Sequence, residues 1–406
     1  MKKFLSSEFG KGAFVLFITI NIFNFLNFIF HFSMGRLLGP ADYGVLVVLM
    51  SIVYLFSIPT ETIQNLISRY TSKFNVKNEH GKIKFMMKKS LGKVFKVSFW
   101  VFVVAVLISF PLASFLRINF WLLLIVDILI LYSFAEPVLR GVLQGRKRFG
   151  MLGISMILES TFKLLFSISF VIFGINVFGA ILGVVLVGVA SFAFTLFFNR
   201  DILKNKEEKT SFDKIQQTSI PYIVSMFVIF LILSTDIILA KRFFSAETAG
   251  MYAVLSILGK IIFFGTFAIS KAMFPLTSER HDINKDSSQL FKKSLLLVFI
   301  LCLVAVFAYL IIPELIIWIL YGNQYTSVAN LLIYSAIAFS FLSLSNVIIV
   351  YALSINKITN YFYLPIFFII QITLLFIFHN TLFEYILAFM VSTIIMFIGT
   401  LFFLKK

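Results

Sequence analysis

The chain has 406 residues, 60% of them hydrophobic and 13% charged, with 53 Phe and a formal net charge of +17. Soluble domains are roughly 45–50% apolar and about 25% charged, so this composition excludes a water-soluble globular protein and makes lipid the solvent for most of the chain. It also excludes a soluble nucleic-acid binder, because the positive residues stand between apolar runs, as loops held against anionic lipid do.

A helix of about 20 residues crosses a hydrocarbon core about 30 Å thick, and the apolar runs are too long and too uniform for barrel strands. The first, 12–33, follows Lys2, Lys3 and Lys11 and runs into Gly35-Arg36 without a small-residue cleavage pattern. It is expected to be a retained transmembrane helix, not a removable signal. It carries Asn21, Asn24, Asn27 and His31, which at 100° per residue fall within one arc of about 120°. That stripe should avoid lipid, either bonding neighbouring helices or lining a wet cavity suited to sugar hydroxyls.

The second run, 44–66, contains Glu61 and leads into a basic segment, Lys73–Lys96, expected to be a solvated loop facing lipid headgroups. Runs 97–116 and 119–140 follow, the latter with Asp127 and Glu136. Run 151–174 holds Glu159 and Lys163, spaced as a favourable i,i+4 pair, so local pairing is the leading reading of Lys163 and ligand contact the second. Run 176–198 is punctuated by glycines, including Gly179 and Gly183, which read as close helix packing. The links at 117–118 and near Ile175 are so short that one long helix is the rival reading at each.

The second set of runs is 218–240, 249–274, 294–313, 325–350, 361–379 and 385–404. A lysine near the bilayer centre costs about 2.5–3.5 kcal/mol on insertion scales, so Lys260 in run 249–274 needs a reason. Its neighbours on the same face supply no acid. Either an acid on another helix neutralises it (Asp127, Glu136, Glu61 and Asp236 are the candidates), or it faces water and an anion, or it snorkels. Helical geometry also sets Ser256, Lys260 and Lys271 in one stripe. Cys302 is the single cysteine, so no intrachain disulfide is available.

Loop charge tests this count of twelve. With the N-terminus inside, the cytoplasmic segments hold 28 Lys and Arg, including Arg140 and Arg146–Arg148, against four outside: Arg36, Arg117, Lys241 and Arg242. That bias puts both ends in the cytoplasm.

The two halves are similar. Arg36-Leu37-Leu38-Gly39-Pro40-Ala41-Asp42-Tyr43-Gly44 aligns without gaps on Arg242-Phe243-Phe244-Ser245-Ala246-Glu247-Thr248-Ala249-Gly250. The turn Leu143-Gln144-Gly145-Arg146-Lys147 has a weaker echo in Leu353-Ser354-Ile355-Asn356-Lys357. Six spans per copy return the chain to the same side, so the copies, 1–205 and 206–406, point the same way. The expected fold is all-α and integral to the membrane, with about twelve transmembrane helices in two parallel-oriented six-helix bundles around a central cavity. Repeats of this kind are typical of alternating-access transporters.

Arg36 to Gly44, Leu143 to Phe149, and Asp236 with Ala249-Gly250-Met251-Tyr252 resemble the polysaccharide-biosynthesis flippases, which share a superfamily with the multidrug and toxic compound extrusion transporters. The resemblance implies export of a lipid-linked oligosaccharide from a partly cationic cavity. The Gly-Pro and Tyr-Gly pairs themselves suit a tight interfacial turn with an aromatic anchor.

On this reading Lys260 and Lys271, with Lys163 secondary, counter the cargo's phosphate. Asn24, Asn27, His31 and Arg36 join the substrate-binding set. Glu159, Asp236, Asp127, Glu61 and Glu136 form the coupling or salt-bridge set. A potential negative inside favours export of an anion by about 2.3 kcal/mol per charge per 100 mV. No phosphate-binding loop and no Cys/His cluster occurs, so neither cofactor nor metal is expected, and the chain is not expected to be an enzyme. A drug or metabolite exporter, or a membrane-embedded glycosyltransferase or polymerase, is the alternative; external loops of about ten residues or fewer leave little room for the enzymes. Expected partners are the lipid-linked oligosaccharide, membrane lipids and glycan-assembly enzymes, with the protein itself a monomer in the cell membrane.

Overall fold

A computed structural model describes residues 8–55, 57–210, 220–283, 285–355 and 363–405. The regular elements there are helical throughout. Lys2, Lys3, Lys214, Lys357 and Lys406, counted among the inner charges, lie outside the described residues, as do the side chains of Lys11 and Lys405. By internal contacts the chain forms two units, Met1–Leu38 with Ile52–Gln217, and Gly39–Ser51 with Thr218–Lys406. The halves drawn at 205/206 differ from these in one respect of substance: the short segment after Gly39 packs with the later part of the chain.

The first stretch comprises α1 (Glu8–Leu55), α2 (Ser57–Val76), α3 (His80–Leu116), α4 (Phe120–Ser133), α5 (Glu136–Gly145), α6 (Phe149–Phe170), α7 (Asn176–Phe198) and α8 (Arg200–Leu203). The second comprises α9 (Ile220–Phe243), α10 (Ala246–Asp282), α11 (Ser288–Ile311), α12 (Pro313–Tyr321), α13 (Leu332–Ser354), α14 (Leu364–Ile377) and α15 (Leu382–Lys405). Among the described residues nine helical stretches are long and apolar enough to cross a membrane. Two of them are broken at a glycine of positive φ, Gly39 and Gly174, and the shorter Leu364–Ile377 completes twelve crossings. The protein is a multi-pass membrane protein.

Local chemistry sets the breaks. Gly39 adopts φ 74°, ψ 173°, a conformation open to glycine because it lacks a Cβ, and Pro40 then opens the next helical turn, where a missing N–H costs nothing. Arg117 is left-handed and closes α3 through its N–H to Ala113 and Ser114, while the Asn119 side chain caps α4 by accepting from Trp121 N at 2.9 Å. Between α6 and α7, Gly174 and Asn176 have φ 85° and 48°, and the two helices pack along each other. The short links at 117–118 and 175 are therefore true helix ends.

Three expectations change. Run 119–140 is two helices, because Pro137 cannot continue the α4 hydrogen-bond ladder and α5 starts afresh at Glu136. The basic segment Lys73–Lys96 is not a loop: α2 runs to Val76, α3 starts at His80, and Ile67, Phe74, Ile83, Met86 and Met87 close a core with Val138, Leu139, Val142 and Ile202. Its lysines occupy the outer face of an amphipathic helix. Finally, the stretch from α11 to α13 is no bare loop of about ten residues, since it holds α12, begun by Pro313 and ended by Gly322, and the 3₁₀ segment Asn323–Leu331.

The first unit also carries an ion cluster beside this core. Arg146 Nη2 and Arg148 Nη2 lie 2.5 and 2.7 Å from Asp201 Oδ2. Partial burial raises the Asp201 carboxyl, but the hydrogen bond and charge of Arg146 and the charge of Arg148 outweigh it, taking it down to about 2.

In the second unit the duplicated segments meet. A Cβ on Gly44 would stand 2.9 Å from Cα and N of Gly250, and a Cβ on Gly250 would run into the Pro40 carbonyl. Tyr43 is buried against Tyr321 and Tyr325, its hydroxyl 3.2 Å from that of Tyr321, so it is a core residue and not the interfacial anchor expected. Since backbone lies on both sides of the contact, Gly250→Ala is expected to cost about 1–3 kcal/mol by overpacking. Gly265→Ala, where a Cβ meets open space, should be neutral or stabilising. Thermal unfolding of both variants in detergent checks this; equal midpoints would disprove the close-packing account. Gly183 against Ser167 and Gly188 against Tyr132 confirm close packing of α7.

Candidate functional site

In the first unit a polar network is buried within the spans. Glu136 and Arg140 sit one turn apart on α5, and Arg140 Nη2 lies 2.8 Å from Glu136 Oε1 and 2.5 Å from Glu159 Oε2 on α6. The same nitrogen donates to Ser191 Oγ on α7 at 3.3 Å, and Ser191 in turn donates to Glu136. Side-chain exposure of Arg140 and Glu136 is 13% and 11%, so Arg140 is no inner-loop cation. It is the hub that neutralises two carboxylates in a medium where an unpaired charge is costly.

Lys163 lies one turn beyond Glu159 but does not pair with it, contrary to expectation. Its ammonium donates to Asn27 Oδ1 on α1 and stands 4.6 Å from the Phe30 ring centroid, while Asn27 Nδ2 donates to the Phe23 carbonyl at 2.8 Å. A single guanidinium nitrogen of Arg140 contacts both carboxylates and Ser191, while the ammonium of Lys163 turns to the amide and the aromatic face. Lys163 remains half-buried, its direct contacts being to neutral groups while the Glu159 charge acts on it from a greater distance.

The α1 stripe turns inward along its length. Asn21 is exposed, Asn24 and Asn27 are half-buried, and His31 is 3% exposed with Nε2 3.4 Å from the Tyr54 hydroxyl. Arg36 is exposed and Glu61 half-buried. Asp127 is buried and accepts from Ser109 Oγ at 2.8 Å across α3 and α4. Three of the acids considered for Lys260, namely Asp127, Glu136 and Glu61, thus belong to the first unit.

In the second unit Lys260 and Asp236 are 2% and 0% exposed, with Nζ 3.9 Å from Oδ1. That distance is an ion pair without a hydrogen bond. The other carboxylate oxygen accepts from Ser256 Oγ at 2.6 Å and Tyr252 OH at 3.2 Å, and Tyr385 on α15 donates to the Asp236 carbonyl at 2.5 Å. Of the alternatives for Lys260, the interhelical ion pair is present, with Asp236 as the acid. The stripe on α10 is split: Ser256 and Lys260 are buried toward α9, whereas Lys271 is exposed, its ammonium 4.9 Å from the Phe267 ring.

Sequence reasoning missed Arg140, although the Glu136–Arg140 spacing is an i,i+4 signal. It also missed Tyr252, Tyr385 and Ser191. Tyr385 is 149 residues from the aspartate whose carbonyl it holds, and no local pattern announces such a contact.

Comparison with known proteins agrees with this picture. The model of the family described as polysaccharide biosynthesis protein matches residues 9–281. None of the curated proteins matches the sequence. An inward-facing multidrug resistance MATE family transporter of the MOP superfamily superposes with a TM-score of 0.73 at 14% identity, over 96% of this chain and 98% of the other. A MOP superfamily transporter from Pyrococcus furiosus gives 0.66 at 15%, over 98% and 96%. A eukaryotic MATE transporter gives 0.72 at 11%, over 99% and 95%. At these identities the likeness establishes the fold.

Proposed function

We propose, from the premise that this chain belongs to the polysaccharide biosynthesis protein family, that it is a transporter exporting a lipid-linked saccharide across the cell membrane by alternating access. The observation that carries this reading is the family match over residues 9–281, joined to a fold that superposes along nearly its whole length on MOP superfamily transporters.

The residues suited to the cargo lie in the first unit. Lys163 is a half-buried cation whose hydrogen bond goes to a neutral amide, not a carboxylate, and on this reading it meets the cargo's phosphate. Asn24, Asn27 and His31 supply amide and imidazole groups along the same helix for sugar hydroxyls or phosphate oxygens. Lys260 is balanced by Asp236 and contributes to this reading through the fold of the second unit. Lys271 and Arg36, both exposed, serve headgroups and the cargo's approach. The network around Arg140 holds two carboxylates, Glu136 and Glu159, that provide the place for ion coupling if transport is not driven by potential alone. Both termini in the cytoplasm and action as a monomer complete the proposal.

The test uses purified protein in sealed vesicles with a fluorescently labelled polyprenyl-pyrophosphate saccharide, scoring label that becomes accessible to an impermeant quencher. Transport is expected, and Lys163→Gln is expected to slow it by about tenfold or more, the loss of one charge-assisted hydrogen bond, with Lys163→Arg retaining most of it. Transport of a cationic dye in place of the labelled lipid would overturn the reading in favour of drug efflux.

A further inference from the structure

The amino-terminal half of α3 presents an exposed basic face that the transport reading does not use. Met86 and Met87 turn into the core and Leu91 and Val94 pack against it, while Lys88, Lys89, Lys93 and Lys96 are exposed. At 100° per residue these four lysines lie within an arc of about 140°. Gly92 sits inside that arc, and a Cβ placed on it would meet nothing within 4 Å. The four lysines therefore surround a notch where the helix backbone is uncovered.

Several of these lysines have neighbours of their own. Lys88 pairs with Glu207 at 3.1 Å, both partners being exposed. Lys89 lies 5.8 Å from the Phe85 ring. Lys84, on the flank, donates to the Asn205 carbonyl at 2.8 Å. Lys93 and Lys96, with no acidic residue within one helical turn of either in sequence, lie at the end where the helix becomes apolar.

From there the same face continues as Trp100, Val104, Leu107 and Phe110, exposed by 67, 52, 69 and 74%, which is a lipid-facing stripe. Trp100 stands at the junction, the position at which indole rings favour the headgroup boundary. A cationic notch opening directly onto an apolar stripe matches one class of molecule, an anionic lipid with its phosphate at the lysines and an acyl chain along the stripe.

We propose that the Lys88–Lys96 face of α3, centred on Gly92, is a binding site for an anionic phospholipid of the surrounding membrane. It is a site with a shape, distinct from the diffuse attraction of a basic loop.

Trp100 reports on it. In a Trp121→Phe/Trp318→Phe background it is the sole tryptophan. The full chain is reconstituted in phosphatidylcholine–phosphatidylglycerol vesicles in which either lipid carries brominated acyl chains. Brominated phosphatidylglycerol is expected to quench Trp100 well beyond its mole fraction, and brominated phosphatidylcholine below its own. Neutralising Lys93 and Lys96 to Gln should lower the relative affinity by about fivefold per lysine. Gly92→Leu, which leaves every charge in place and fills the notch, should abolish the preference as well. Quenching in proportion to mole fraction overturns the proposal. So does a preference that survives Gly92→Leu, since that outcome describes diffuse attraction, and so does tighter competition by a polyprenyl pyrophosphate than by phosphatidylglycerol, which would assign the site to the cargo.

Discussion

Arg140→Ala is expected to destabilise the protein by about 3–5 kcal/mol, the cost of removing one partner from a buried ion cluster. The guanidinium of Arg140 lies between Glu136 and Glu159, at 2.8 and 2.5 Å. Without it two carboxylates face each other inside the membrane, Glu136 keeping the Ser191 hydroxyl as a donor. The combined variant Glu136→Gln/Arg140→Met/Glu159→Gln should recover most of the loss, because amides and a thioether carry no charge to desolvate. Thermal unfolding in detergent reads both. An Arg140→Ala protein as stable as the parent would show that this network does not hold α5 to α6 and α7, and a triple variant as unstable as the single one would show that charge balance is not the cause.

Lys260→Met is expected to have an effect of similar size for the same reason in the other unit. At 3.9 Å the attraction between unit charges is about 4 kcal/mol at an effective dielectric of about 20, and removing the ammonium leaves Asp236 charged and fully buried. Ser256 and Tyr252 still donate to its other oxygen, which softens the loss without cancelling it. The double variant Asp236→Asn/Lys260→Met should refold the unit to near-parental stability. Its transport then separates two roles. Activity near the parent's shows that the pair serves the fold alone. A stable double variant without activity would show that the ammonium acts on the cargo or on the transport cycle, and would overturn the assignment of Lys260 to the framework.

How much of this was legible depends on range. The stripe of Asn24, Asn27 and His31 on α1 was readable because helical periodicity is local, and its inward turn follows from the cost of polar groups in lipid. The pairing of Lys163 was misread for a local reason too: the Glu159 one turn before it satisfied a rule of spacing, yet spacing says nothing of competitors. Arg140, on another helix, took the carboxylate. The loop reading of Lys73–Lys96 failed because charge density outweighed period. Ile83, Met86 and Met87 mark one face of a helix, and the lysines between them mark the other.

The amino-acid sequence by itself determined the solvent, the crossings and the breaks between them: apolar runs of span length, glycine and proline at Gly39-Pro40 and Gly174, an asparagine cap at Asn119. These are decided within a few residues, by hydration and backbone sterics. It also contained the duplication that places glycine at both 44 and 250. Only the tertiary structure decided that those two glycines touch, that Lys260 answers Asp236, and that Arg140 serves Glu136 and Glu159 together. Each of these joins groups on different helices or far apart in the chain. In a membrane every helix is apolar on most of its surface, so composition cannot say which faces meet. Packing of small residues and the neutralisation of buried charge choose the partners, and both act through space.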